Sequence, residues 1–217
     1  MADSPRLRRL RADRKALEQL QAESSIFTFV ARGELPETYT LIFNGRGIWR
    51  PDNGAPVRTA ERHEVYLRLG AAYPRMMPEL TWRSPIFHPN ISASGVVCLG
   101  GYGTYWVPSL SLDELCTMLW DMIRFANYDP NSPYNRDAAA WAKHQLDYRF
   151  PVDARPIRDR VAAQPRSTAP QPRTSAAPRT ISAPVESEIV YLDAEIVDAE
   201  ILDDNHNSGE TEIVFID

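Results

Sequence analysis

At 217 residues, 43% of them apolar and 24% charged, the chain has material for one sizeable core and little room for a second full domain. No apolar run approaches the roughly 20 residues that span a bilayer, and the N-terminal MADSPRLRRLRADRKALEQL holds no apolar segment of signal-peptide length, which predicts a cytoplasmic protein that is neither exported nor inserted in a membrane. The net charge of −5 is unevenly spread: residues 1–150 carry 18 basic and 16 acidic groups, residues 151–185 carry 6 and 2, and residues 186–217 carry 0 and 11. The part expected to fold is therefore near neutral and lacks the clustered basic face of a nucleic-acid binder.

Residues 4–22 read as a helix, with Ser4 as cap, Pro5 in the first turn, Leu7, Leu10, Leu17 and Leu20 on one side, and Arg6, Arg8, Arg9 and Arg11 elsewhere. Four strand-like runs follow, SIFTFVARG, TYTLIFNG, HEVYLRLG and ELTWRS, each bounded by Gly, Pro or polar turn residues, and their succession predicts an antiparallel meander. A glycine-rich irregular stretch covers 90–109. A helix is expected from about Ser111 to Phe125, capped by Ser111 with Glu114 three residues on, and another from about Pro133 to Leu146. The layout is α+β. From 151 to 185 apolar periodicity gives way to Pro, Ala, Arg, Ser and Thr, which predicts a disordered linker, and 186–217 form an acidic, apolar-segmented tail.

The chain has two cysteines, and without an export signal both should be reduced thiols. Cys116 lies on the helix whose Leu112, Leu115 and Leu119 mark the core face, so it reads as a buried, inert thiol. Cys98 closes the stretch HPNISASGVVCLG, where a buried structural thiol and a nucleophile are the competing readings. With four histidines in the chain, His63 and His206 far from this stretch, no ligand set for a structural metal is available.

The segments YPRMMPEL, SPIFHPNI, GVVCLG, WVPSL and DPNSPYNRDAAAWAKHQ, in this order and at these gaps, resemble the ubiquitin-conjugating enzymes. His88 to Cys98 is ten residues and Cys98 to Trp106 is eight, as in that family, and the likeness covers roughly residues 4–148. It implies a UBC-like fold over residues 1–150: N-terminal helix, four-stranded meander, active-site loop and C-terminal helices. It also implies an activity in which Cys98 accepts a ubiquitin-like modifier as a thioester from an activating enzyme and passes it to an amine of a protein target. No cofactor is implied, since ATP is used by the activating enzyme.

Acyl exchange through a thiolate needs a reachable cysteine, and Gly95, Gly100, Gly101 and Gly103 would supply an open loop. Attack of an amine on the thioester builds negative charge on the carbonyl oxygen, which the Asn90 amide, set by the tight turn at His88 and Pro89, would stabilise. His88 is assigned to holding that turn. Ser132 stands where the family commonly places an Asp or Ser facing the cysteine. Arg8 and Arg9 are the expected contact with the activating enzyme, and Arg75, Pro108 and Ser109 mark the edge where ligases dock. Arg75 replaces a commonly apolar residue there, and Gly100 a commonly acidic one. The alternative is a non-catalytic modifier-binding or interaction module, which would lack the cysteine that this chain keeps.

Two tail segments, Ile189-Val190-Tyr191-Leu192-Asp193 and Ile213-Val214-Phe215-Ile216-Asp217, resemble motifs that bind a modifier by adding a strand to its sheet edge. Through Ile189, Val190, Leu192, Ile213, Val214 and Ile216 the tail would recruit a modifier or another β-edge partner; a solubilising tail and a strand returning to the chain's own sheet remain open. Arginine outnumbers lysine 22 to 2, which points to a GC-rich, bacterial genome and leaves Lys15 and Lys143 as the side-chain amines for self-modification. With that origin, the family resemblance implies a stand-alone conjugating enzyme of the kind found in bacterial ubiquitin-like operons, several of which serve antiphage defence.

Overall fold

A computed structural model describes residues 4–52, 54–99 and 106–162. They belong to a unit covering Met1–Thr168; a second unit, Ala169–Asp217, lies outside the described residues. Gly100, Gly101, Gly103, most of the expected linker and both tail segments therefore fall outside them as well.

Helix α1 spans Pro5–Glu23, with the Ser4 hydroxyl accepting the Leu7 N–H at 3.2 Å and Pro5 at a position where its missing N–H costs nothing. Its buried stripe is Leu10, Asp13, Leu17 and Leu20, so Asp13 takes the place the apolar pattern gives to Leu7, which is only half-buried. Strands β1 (Phe27–Ala31), β2 (Thr38–Trp49), β3 (Arg58–Arg68) and β4 (Glu79–Trp82) form one antiparallel sheet in the order β1-β2-β3-β4.

Alternation along β2 and β3 turns Tyr39, Leu41, Phe43, Val65 and Leu67 inward, against α1 and against α2 (Leu112–Ile123). Each fully buried Leu or Phe in this core contributes about 2 kcal/mol of transfer free energy. Glu114 reaches back to the Ser111 N–H at 2.8 Å, which starts α2 at the expected place.

The strands β2 and β3 run longer than expected because Gly45 does not end β2: the ladder shifts register between Asn44 and Gly47 and continues. A Cβ at Gly45 would lie 2.5 Å from the Trp120 ring, so glycine is what lets α2 pack that closely on the bulge.

The expected boundary at 150 is corrected. Val152, Asp153 and Ile157 are buried, and a short helix α4 (Asp159–Ala162) follows. Trp120 Nε1 donates to the Arg155 carbonyl at 2.8 Å, Asp153 accepts from the Arg46 N–H at 3.1 Å, Asp159 accepts from the Ser25 N–H at 2.7 Å, and Arg158 pairs with Glu23 and Asp113. Residues 151–162 thus form a strap over the bulge, α2 and the end of α1, held by partners too distant in sequence for local composition to reveal.

Helix α3 (Arg136–His144) is shorter than expected, beginning at the Asn135 cap, whose Oδ1 accepts the Ala138 N–H at 3.0 Å. Its Ala138, Ala142 and Trp141 join a second cluster with Phe87, Phe125, Val152 and Phe150. No helix among the described residues is long and apolar enough to cross a membrane.

Candidate active site

The segment carrying Cys98 is joined to β4 by one isolated bridge, Thr81 with Val96, and folded back on the turn before it by another, Ile91 with Val97. Val97 and Leu99 are buried while Cys98 is only half-buried, so the extended alternation turns the thiol outward. The Cys98 N–H donates to the Asn90 carbonyl at 2.9 Å, fixing the thiol's backbone to the turn before it. Gly95 is not the source of freedom expected of it. Its φ is +83°, its carbonyl accepts the Trp82 N–H at 2.8 Å, and a Cβ would meet the Trp82 carbonyl at 2.3 Å, so it is a tightly held turn that lets the hairpin close on β4.

His88 is fully buried. Its Nδ1 accepts the Asn90 N–H at 3.1 Å, and its ring meets Phe125 edge-on at 4.8 Å. Burial pushes its pKa down to about 3, against the opposing pull of the Asn127 backbone, so the ring is a neutral turn-holder that cannot serve as a base at neutral pH. Phe125 adopts φ 59° just past the end of α2, a conformation that costs a side chain about 1 kcal/mol or more. Its stack on Phe150 at 4.6 Å and its contacts with His88, Tyr128 and Trp141 hold it there. The Pro89 carbonyl accepts the N–H groups of Tyr134 (2.8 Å) and Asn135 (2.9 Å), tying the turn to the start of α3.

Asn90 is buried, and its amide grips the 129–132 loop. Oδ1 accepts the Asp129 N–H at 2.7 Å, while Nδ2 donates to the Asp129 carbonyl at 3.0 Å and to the Ser132 carbonyl at 3.3 Å. Both amide protons are therefore engaged by the loop rather than directed at a substrate oxygen. Ser132 is exposed and enters through its carbonyl. Cys116 is fully buried, and burial, with Asp113 nearby, raises its pKa well above that of a free thiol.

Arg8 is exposed on α1, but Arg9 is not the surface contact expected of it. Its guanidinium donates to Asp13 Oδ2 (2.8 Å), the Tyr73 hydroxyl (3.1 Å), the Pro108 carbonyl (2.5 Å) and the Leu110 carbonyl. Asp13, 1% exposed, also accepts from the Tyr73 hydroxyl (2.5 Å) and the Leu112 N–H (3.4 Å). A planar fork with five donors can serve these acceptors together, and doing so withdraws Arg9 from the solvent face.

Sequence reasoning missed Asp13. Its signal was an acid in the stripe Leu10, Asp13, Leu17, Leu20, four residues after an arginine. Trp106 Nε1 donates to the Pro74 carbonyl at 2.8 Å, which brings Arg75, Pro108 and Ser109 onto one exposed edge with Met76 (65% exposed) and Val107 (47%). Among the described residues no contact brings Arg8 to Cys98, and the tail segments lie outside those residues.

Residues 57–155 match the family model described as ubiquitin-conjugating enzyme, a span that includes the turn, Cys98, the 129–132 loop and the exposed edge but not α1. The chain is 40% identical over 68 residues to the ubiquitin-conjugating enzyme E2 16 of Schizosaccharomyces pombe, covering 31% of this chain and 41% of that protein. It is 38% identical over 73 residues to the NEDD8-conjugating enzyme UBC12 of Saccharomyces cerevisiae, covering 34% and 38%. It is 31% identical over 83 residues to a ubiquitin-conjugating enzyme E2 2 of Mycosarcoma maydis, covering 38% and 44%. The aligned part thus spans less than half the length of these relatives. The α+β architecture is consistent with the fold of that family, and the matches support a conjugating-enzyme domain.

Proposed function

We propose that this chain is a conjugating enzyme for a ubiquitin-like protein. Cys98 takes the modifier's C-terminal carboxyl group as a thioester from an activating enzyme and transfers it to an amine of a protein target. The observation that carries the reading is the outward, half-buried Cys98, backbone-tied to Asn90 between two buried neighbours within the segment that matches the family.

In the first step the Cys98 thiolate attacks the incoming thioester carbonyl and the activating enzyme's thiolate leaves; in the second an amine attacks and the Cys98 thiolate leaves. In that step Asn90 Nδ2 reaches a developing oxyanion by giving up its longer bond, to Ser132, while the rest of its amide keeps the 129–132 loop in place. Ser132 meets the incoming amine at the loop, where its hydroxyl can hydrogen-bond but supplies no charge. Arg8 faces the activating enzyme, and Arg75, Pro108 and Ser109 face the ligase or other partner. In a bacterial setting, with or without a role in defence, the reading predicts neighbouring genes for an activating enzyme and a small β-grasp protein.

With activating enzyme, ATP and modifier supplied, Cys98 should form an adduct that thiol reductant releases. Cys98→Ala should abolish it and Cys116→Ala should leave it intact. A reductant-sensitive adduct that survives in Cys98→Ala overturns the assignment.

A further inference from the structure

The chain has two lysines, and the structure treats them differently. Lys15 lies exposed on α1, a helix that packs against α2, β1 and α4. Lys143 lies exposed in the last turn of α3, and its Nζ donates to Asn131 Oδ1 at 2.9 Å. From there three more hydrogen bonds lead to the thiol's own backbone: the Asn131 N–H to Asp129 Oδ1 at 2.8 Å, the Asp129 N–H to Asn90 Oδ1 at 2.7 Å, and the Cys98 N–H to the Asn90 carbonyl at 2.9 Å. The helix beneath Lys143 is fixed to the same turn by packing, with Trp141 at 5.7 Å from Phe87 and 6.0 Å from Phe125, the ring that meets His88. One side-chain amine of this lysine-poor chain is thus built onto the loop that Asn90 holds against the Cys98 segment.

We propose that Lys143 is a self-modification site, taking the modifier from the Cys98 thioester of the same molecule. The inference rests on the thioester reading above. Lys143 first gives a proton to water. Its neutral Nζ then adds to the thioester carbonyl carbon and gives a second proton to water, the C–S bond breaks, the Cys98 thiolate leaves and is protonated by solvent, and a neutral isopeptide bond remains on Nζ with no change of oxidation state. An amine tethered to the same scaffold meets the thioester at an effective concentration on the order of millimolar or above, independent of how dilute the enzyme is. Lys15 has no such tether to the Cys98 side among the described residues.

The test loads the full-length protein with ubiquitin carrying a C-terminal 2-mercaptoethanesulfonate thioester, which exchanges onto a thiol without any activating enzyme. Excess probe is removed, and the shift from reductant-sensitive to reductant-resistant adduct is followed. The expected result is a resistant adduct at Lys143 by peptide mapping, forming at a rate unchanged over a tenfold range of enzyme concentration. Lys143→Arg keeps the charge and a donor for Asn131; it should cut that rate at least about tenfold while Cys98 still loads. Lys15→Arg should leave it unchanged.

Mapping to Lys15 or to the N-terminal amine overturns the proposal, and so does a rate that rises in proportion to enzyme concentration. Full loading of Cys98 with no resistant adduct overturns it while leaving the thioester reading standing. Failure of Cys98 to load at all counts against both.

Discussion

The chain on the two sides of Cys98 is held by opposite means. Upstream, the His88 turn is fixed by packing: a neutral, buried imidazole, the Phe125 ring and its aromatic neighbours, with hydrogen bonds running mainly to backbone. Downstream, the Trp106–Leu110 segment is fixed by charge, through Arg9 and Asp13, with Tyr73 bonded to both and Trp106 adding one hydrogen bond to Pro74. A packed cluster tolerates no unpaired proton, whereas a paired cluster tolerates no lost partner. The stretch expected to receive the modifier therefore depends on two supports that fail under different conditions.

The largest effect should come from emptying the packed side. Phe125→Ala should cost about 4 kcal/mol in urea unfolding, because the cavity lies among side chains that cannot close it. Asp13→Ala on the paired side should cost about 3 kcal/mol, since it leaves the Arg9 charge, 17% exposed, without its partner. Arg14→Ala, which breaks a similar i,i+4 pair at the surface, should cost far less, because water and salt screen that pair. If Asp13→Ala cost no more than Arg14→Ala, the downstream support would be ornamental and the contrast would collapse.

Acid should separate the two supports next. Burial holds His63 at a pKa of about 4 and His88 at about 3, both below the value of about 6.5 expected in an unfolded chain. Between those limits the unfolded chain binds protons that the folded one does not. Stability is thus complete above about pH 6.5 and falls as pH drops toward the folded pKa values, by about 2 kcal/mol per ring at pH 5. Urea titrations at pH 7, 6 and 5 measure this; a flat profile would show that the rings accept protons without unfolding.

The smallest of these effects concerns Asn90, and it separates holding from catalysis. Discharge of preformed thioester to free lysine should slow by tens of fold in Asn90→Ala. Asn90→Asp keeps an acceptor for the Asp129 N–H and loses both donors. Equal slowing in the two variants assigns the effect to the donated hydrogen bonds. Slowing in Asn90→Ala alone assigns it to the hold on the loop and removes the oxyanion role.

Much of the frame was legible because it rests on local patterns: the Ser4 and Ser111 caps, the alternation in β2 and β3, and the spacing of the His88 turn, Cys98 and Trp106. The misread parts depend on partners far along the chain. Arg9 looked like its neighbours Arg8 and Arg11, because apart from Asp13 its acceptors lie far along the chain, at 73, 108 and 110. The hold of Asn90 on the 129–132 loop did not show, because its partners lie about 40 residues on. Val152 and Ile157 sit in a Pro- and Arg-rich stretch whose composition says linker, and only Trp120, Arg46, Ser25 and Glu23 make it a strap. Gly45 reads as a turn until Trp120 is placed over it.

That strap also orders events in time. Ser25 receives its Asp159 partner 134 residues later, and Glu23 waits as long for Arg158. At about 5–20 residues per second, a ribosome would present α1 on the order of ten seconds before the residues that clasp its end. The end of α1 is thus secured late, and a nascent chain stopped at residue 150 would carry every group around Cys98 while the end of its first helix was still unclasped.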